Sequence, residues 1–206
     1  ELISGQSLDT FFYENIFEPL GMSDTGFYVP AVDIPRFSAN YLYNLNGLPK
    51  LLDDPLKSRF IKRPSFLSGG GGLVSTAEDY LAFCRMILGG GELNGNRILS
   101  RKTIDLMSAN HLTGGVDLAE VASGRWSETS YQGMGFGLGF SVVKDPSMTL
   151  VPGSVGELAW GGMANTAFWI DPLEDMAVVF MTQLVPSGIY NIRRELRTLV
   201  YSAIED

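Results

Sequence analysis

The stretch Glu157-Leu158-Ala159-Trp160-Gly161-Gly162-Met163-Ala164-Asn165-Thr166-Ala167-Phe168-Trp169-Ile170-Asp171-Pro172 decides how this chain is read. An aromatic residue is followed by two glycines, then by an apolar, β-rich run that stops at Asp171-Pro172. Glycines admit a ligand or another backbone at close range, because no Cβ stands in the way. Two readings fit these residues: a tight bend or β-bulge with Trp160 in the core, or one wall of a ligand pocket.

Working outward, Thr166 to Ile170 and Met176 to Met181 read as strands, and Asp171 to Asp175 as the hairpin turn between them. Ile189, Ile192, Leu196, Leu199, Val200 and Ala203 then recur at helical spacing, and this stripe is expected to pack on the sheet. On the other side, Phe136 to Val143 reads as a strand with Phe136, Leu138 and Phe140 on one face, and Met148 to Val151 as another. Hairpin-length connections imply antiparallel pairing. There is no βαβ alternation and no Rossmann fingerprint.

Upstream, Gln6 to Leu20 reads as a helix with Ser7 as N-cap and Leu8, Phe11, Phe12, Ile16 and Leu20 as its apolar face. Residues 22 to 67 are rich in turn signals, with Tyr41, Tyr43 and Leu45 as a short strand. Ser75 and Glu78 form an S-x-x-E capping box for a helix through Leu81, Cys84 and Leu88 that ends at Gly89. Gly69 to Gly72 precede it without a P-loop lysine, so the run is read as close packing. Ser100 caps a helix carrying Ile104 and Met107, and residues 113 to 134 read as loop. The chain divides into residues 1–134, a helical and loop-rich region lining a pocket, and residues 135–206, antiparallel strands plus a C-terminal helix. Glu1 to Gly5 reads as the end of a helix closed by glycine, which suggests a fragment, a processed subunit or a shortened chain.

The totals bound the function. With 206 residues, 45% hydrophobic and 18% charged, the chain is long enough to bury a real core. A net charge of -8 without a basic run argues against nucleic acid or an anionic membrane as partner. No apolar stretch is long enough to span a bilayer. Cys84 is the sole cysteine, which excludes an internal disulfide and leaves the compartment open.

Several blocks occur in one order: Ser4-Gly5-Gln6-Ser7-Leu8, Ile16-Phe17-Glu18-Pro19-Leu20-Gly21-Met22, Asp24-Thr25-Gly26-Phe27, Gly71 to Thr76 with Asp79, Gly135 to Phe140, and Trp160-Gly161-Gly162. In this order the chain resembles the C-terminal portion of β-lactamase-related, penicillin-recognising serine hydrolases. These include class C β-lactamases, DD-peptidases and family VIII carboxylesterases. The resemblance implies an α+β, β-lactamase/transpeptidase-like fold, an antiparallel sheet packed against helices, here as an incomplete copy lacking the N-terminal part.

Such enzymes carry three motifs: S-x-x-K with the nucleophile, a tyrosine motif for proton transfer, and a strand motif that is K-T-G, H-x-G or W-x-G. Trp160-Gly161-Gly162 matches the last form, with Trp160 as substrate-binding residue. The resemblance implies that the backbone N–H of Met163, next to Gly161 and Gly162, is one oxyanion-hole donor. The first two motifs would lie upstream of Glu1, so no nucleophile is assigned within this chain.

Local replacements fail. Ser141-Val142-Val143-Lys144 spells S-x-x-K, but on a strand its ends point to opposite faces. Tyr201-Ser202 lies on the last helix, and Ser154 is not in a G-x-S-x-G elbow. His111 is the only histidine and is read as a surface or packing residue, so neither a Ser-His-Asp triad nor a zinc cluster has support. No metal and no cofactor are implied.

The implied activity of the intact protein is acyl-enzyme hydrolysis of a small-molecule ester or amide. Tryptophan in place of a motif-three cation favours uncharged acyl groups, hence carboxylesterase ahead of β-lactamase or DD-peptidase. Acyltransferase chemistry would use the same machinery. The alternative is a catalytically silent fragment or binding module that needs an N-terminal half, as a complementary chain or a missing segment, to cover an open sheet edge.

Overall fold

A computed structural model describes residues 1–121 and 132–205. Its first helical segment is one rod in three registers: α1 (Leu8–Phe12), a π-helical turn (Tyr13–Phe17) and α2 (Glu18–Leu20). Pro19 lies in the first turn of α2 and has no N–H to donate, which fits the break in the α-helical ladder here. Gly21 ends the rod in the left-handed conformation, φ 71°. Ser7 occupies the N-cap position, but its hydroxyl donates to Asp9 Oδ1 (2.5 Å) instead of accepting an amide. Glu1 to Gly5 forms a single turn, closed by Gly5 N–H on Glu1 O (2.8 Å).

Between residues 22 and 67 lie 3₁₀ helices at Ala31–Arg36 and Arg59–Ile61 and two strands, β1 (Asn40–Leu42) and β2 (Lys50–Asp53). The strand expected around Tyr41 is therefore present but stops before Tyr43. Helix α3 (Ala77–Leu88) starts one residue later than the capping box implies. Thr76 is the N-cap and accepts from Asp79 N–H (3.2 Å), while the Ser75 hydroxyl bonds the Thr25 hydroxyl (2.7 Å). The Asp79 carboxylate accepts from Asp24 N–H and Thr25 Oγ1, both at 2.8 Å, and so ties the turn at 24–25 to α3. The close-packing reading of Gly69 to Gly72 is overturned. No atom lies within 4 Å of a Cβ built on Gly69 or Gly71, so nothing presses on this exposed turn.

A two-stranded hairpin, β3 (Glu92–Leu93) and β4 (Asn96–Arg97), leads to α4 (Arg101–Met107), which Ser100 caps by accepting from Thr103 N–H (3.0 Å). Of the loop expected at 113–134, Leu118–Val121 is a short helix, α5, and residues 122–131 lie outside the described residues.

The expected strand Phe136 to Val143 is a hairpin: β5 (Met134–Phe136) turns back into β6 (Ser141–Val143). Gly137 N–H bonds Phe140 O (2.8 Å), and Gly139 takes φ 101°, so the glycines make the turn instead of lining one face. Leu138 at its tip is accordingly exposed. Met148 to Val151 is not a strand either. Pro146–Thr149 is a short helix, α6, because Pro146 is preset at its first position and Asp145 Oδ1 accepts from Ser147 N–H (2.9 Å).

Strands β7 (Leu158–Gly161), β8 (Ala167–Asp171) and β9 (Met176–Phe180) follow as antiparallel neighbours, giving a five-stranded sheet in the order β5-β6-β7-β8-β9. A short β10 (Leu184–Val185) returns to run parallel to β1, which also pairs with β2. On one sheet face Val142, Leu158, Phe168 and Ile170 pack with Phe17, Leu20, Cys84 and Ile87 from the helices to form the core. Burial there pushes the Cys84 thiol up to about 12.

Helix α7 (Ile192–Tyr201) covers the other face, and the expected apolar stripe is only partly covered: Ile192, Leu196 and Val200 are half-buried. Leu199 is 67% exposed, and Arg193, Arg197 and Tyr201, spaced four apart, point to the sheet. The sheet surface below explains why these polar side chains turn inward. Ala159, Gly161 and Ala167 are small, and two buried acids, Glu157 and Asp171, stand at its rim, so long polar side chains fill the gap and find partners.

Candidate acyl-transfer site

The β7–β8 hairpin carries the Trp-Gly-Gly stretch. Its loop, Met163-Ala164-Asn165, is closed by Gly162 N–H on Thr166 O (3.0 Å) and by Asn165 N–H on Gly162 O (2.9 Å). Asn165 has φ 69°, so this is the three-residue hairpin in which a turn is followed by a left-handed residue. Asparagine tolerates that conformation better than other non-glycine residues. Met163 is the second residue of the turn, whose N–H is not consumed by turn closure. Among the described residues that N–H has no acceptor, and the Met163 side chain is half exposed. The loop is further fixed by Leu184 N–H on Ala164 O (3.1 Å) and by Arg193 Nη2, which donates to Gly162 O (2.8 Å) and Thr166 O (2.9 Å).

Strand alternation sends Trp160 and Gly161 to opposite faces. Trp160 lies opposite Phe168 on the core side and packs edge-on against Phe136, with ring centroids 5.1 Å apart. A Cβ on Gly161 would lie 2.5 Å from the Arg193 guanidinium, and one on Gly162 would lie 2.5 Å from Thr166 Oγ1. The glycine pair therefore makes room for two of the chain's own side chains. Strand β6 pairs with β7 only at Leu158 and Ala159, so the Trp160–Gly161 part of that edge has no strand partner among the described residues.

The other candidates do not join this site. Ser141 is fully buried on the α7 side and donates to Ala159 O (2.8 Å), while Lys144 Nζ reaches Asp117 Oδ1 and Gly115 O, both at 2.6 Å. His111 is exposed, with Nε2 2.8 Å from Leu106 O. Ser154 is buried. The Tyr201 hydroxyl stands between two carboxylates, 2.7 Å from Glu157 Oε2 and 2.6 Å from Asp171 Oδ2. Arg197 Nη1 pairs with both oxygens of Glu157, and its guanidinium lies over the Trp169 ring. Desolvation drives the Glu157 carboxyl above its ordinary value against the pull of Arg197, and burial also raises the Tyr201 phenol.

A cavity of about 90 Å³ lies between α7 and the sheet, lined by Val143, Ala159, Trp160 and Trp169 among others. Among the described residues no group of three or more His, Cys, Asp or Glu could hold a metal ion, and no helix is long and apolar enough to cross a membrane.

Residues 1–201 match the family model described as Beta-lactamase. The chain belongs to the Beta-lactamase family. Protein Rv1367c of Mycobacterium tuberculosis (strain ATCC 25618 / H37Rv) is 38% identical over 176 residues, which cover 84% of this chain and 42% of that protein. Acyltransferase calJ of Penicillium decumbens is 27% identical over 203 residues, covering 94% and 47% respectively. The solved structure of EstCE1, described as a hydrolase with promiscuous acyltransferase activity, superposes with a TM-score of 0.77 at 26% identity. That superposition covers 97% of this chain and 52% of EstCE1. The chain thus spans about half the length of the relatives it matches. Its α+β arrangement is the β-lactamase/transpeptidase-like fold, and within the Beta-lactamase family its relatives include hydrolases and acyltransferases.

The sequence held no short-range signal for the part played by Arg193, since the guanidinium and the hairpin it holds are 31 and 27 residues apart. Glu157 and Asp171 bound the Trp-Gly-Gly stretch in the sequence, and an acid at each end of a buried strand pair was the available hint of the α7 network.

Proposed function

We propose that this segment forms one wall of an acyl-enzyme serine hydrolase, with carboxylesterase as the activity. The Met163 N–H is one oxyanion donor, Trp160 lines the acyl pocket, and Gly161 and Gly162 let the hairpin close. The observation that carries this reading is the uncommitted Met163 amide, held on a hydrogen-bonded loop at the end of β7 where that strand's outer edge is open. The hydrolase and acyltransferase descriptions of EstCE1 and calJ support it.

In this mechanism a serine oxygen, supplied from outside the 206 residues, gives up its proton to a neighbouring base and attacks the ester carbonyl carbon. The carbonyl π pair moves to oxygen, where the Met163 N–H stabilises it. Collapse expels the alcohol, which takes the proton, and water then releases the acid from the acyl-enzyme. One oxyanion donor is worth about 3 kcal/mol of transition-state stabilisation.

Fluorophosphonate labelling of the full-length protein, read by intact mass and peptide mapping, tests the assignment. The expected adduct lies outside this segment, and an adduct on any serine within it overturns the reading. Trp160→Lys is expected to shift preference from simple esters toward carboxylate-bearing substrates; unchanged preference would make Trp160 a packing residue only.

A second reading is a silent module that requires a complementary N-terminal half. The β9 edge favours it, because among the described residues Met176–Phe180 has β8 on one side and no strand on the other. A sharp two-state melt of a pure monomer of residues 1–206 counts against it.

A further inference from the structure

We infer that Arg193 is a positioning residue for the oxyanion donor, acting from the rear face of the sheet on the peptide plane that bears the Met163 N–H. The inference rests on the proposed role of Met163.

The argument starts from one peptide unit. The Gly162 carbonyl and the Met163 N–H belong to the same planar amide, and in a trans peptide they point in opposite directions. Arg193 Nη2 donates to Gly162 O at 2.8 Å. Holding that oxygen therefore fixes where the Met163 N–H points. The contact is charge-assisted, so it also draws electron density from the amide nitrogen toward oxygen and strengthens the N–H as a donor. The same nitrogen donates to Thr166 O at 2.9 Å, the acceptor of the Gly162 N–H that closes the loop. One guanidinium thus spans both ends of the hairpin loop.

Two further observations make this seat specific. Gly161 leaves the space the guanidinium occupies, since a Cβ there would stand 2.5 to 2.7 Å from three of its atoms. Arg193 is also held by its helix, because Arg197, one turn on, is fixed by buried Glu157 and the Trp169 ring. Lysine at position 193 would offer a point charge on a flexible stem, without the planar fork.

The test uses the full-length protein with an ester substrate. Arg193→Lys should lower the acylation kcat about 10-fold and Arg193→Met roughly 100-fold, with KM within about 2-fold, because small misplacement of a preorganised group acts on the transition state. Amide hydrogen exchange over residues 162–166 should quicken in both variants and remain unchanged in Leu199→Ala, an exposed control on the same helix. Rates are compared at equal folded fraction.

Met163→Pro removes the N–H together with the Met side chain, at a turn position that suits proline; compared with Met163→Ala, which keeps the N–H, it separates the two claims. If Met163→Pro abolishes acylation while Arg193→Met leaves kcat unchanged, Arg193 has no positioning role. If Met163→Pro leaves acylation intact, the proposed oxyanion donor is wrong and this inference falls with it. Faster exchange without a kcat change reduces Arg193 to a structural clamp and also overturns the inference.

Discussion

Arg197→Met tests how α7 is held to the sheet. Glu157 is completely buried, and Arg197, with 15% of its side chain exposed, pairs with both carboxylate oxygens. Removing one partner of a buried pair costs about 3–5 kcal/mol, because a charge is left in a poor solvent. The lost stacking over Trp169 adds about 1 kcal/mol. Two contacts limit the damage. The Tyr201 hydroxyl still reaches Glu157 Oε2 at 2.7 Å, and the carboxyl can take up a proton instead of staying charged.

A loss of about 4 kcal/mol at pH 7 is therefore expected, or roughly 10 °C in Tm for a chain of this size. The proton count supports the escape by protonation. Tyr201 has one hydroxyl hydrogen but lies 2.7 and 2.6 Å from oxygens of Glu157 and Asp171, so a second proton is needed to satisfy both contacts.

The sign of the pH dependence follows. Glu157 is raised in the folded state, so folding takes up protons at this group. Its contribution is fully present below the ordinary glutamate value of about 4.3 and is lost as pH rises through the folded value. Arg197→Met removes the attraction that opposes this shift. Its deficit relative to the parent should therefore grow as pH rises above the ordinary glutamate value. Urea unfolding followed by circular dichroism, with the Glu157→Met/Arg197→Met pair closing a double-mutant cycle, measures it. A loss below about 1 kcal/mol, or a deficit that does not change with pH, would falsify the account.

Gly137→Ala should destabilise by about 2–3 kcal/mol, since its Cβ would collide with the Met107 backbone oxygen, which cannot swing away. Gly161→Ala meets the Arg193 guanidinium, a side chain that can yield where a backbone oxygen cannot, and should cost about 1–2 kcal/mol through disturbed hydrogen bonds; chemical denaturation that ranks Gly161→Ala above Gly137→Ala would refute this ordering. Ser141→Ala should cost about 1 kcal/mol for its bond to Ala159 O and leave fluorophosphonate labelling of the full-length protein unchanged. Abolished labelling would make Ser141 the nucleophile.

Periodicity and turn chemistry made the hairpin of Ala167–Asp171 with Met176–Phe180 legible, because both signals are local. The ordered blocks made the family legible, and the match over residues 1–201 bears that out. What escaped depends on distant partners. The apolar pattern of α7 did not show that Arg193, Arg197 and Tyr201 also turn to the sheet, since the deciding groups, Glu157 and Asp171, lie more than twenty residues upstream of it. Glycine density was ambiguous in the same way. At Gly139 it turns the chain, at Gly137 it admits the Met107 carbonyl, at Gly161 it seats a side chain, and at Gly69 and Gly71 it faces open space. Composition cannot separate these uses, because each is set by what lies opposite.

The Trp-Gly-Gly stretch resolves into three neighbouring residues with three directions. Trp160 faces the core side and is backed by Phe136 and Phe168, so its ring is held among aromatics. Gly161 faces α7 and admits Arg193, and Gly162 begins the loop that turns the next amide out of the sheet. The apolar residue at this position fits its own packing against Phe136 and Phe168. On the proposed reading, selectivity and oxyanion binding would arise from opposite faces of one strand: changes in the aromatic layer would alter what is bound, and changes under α7 how fast it reacts.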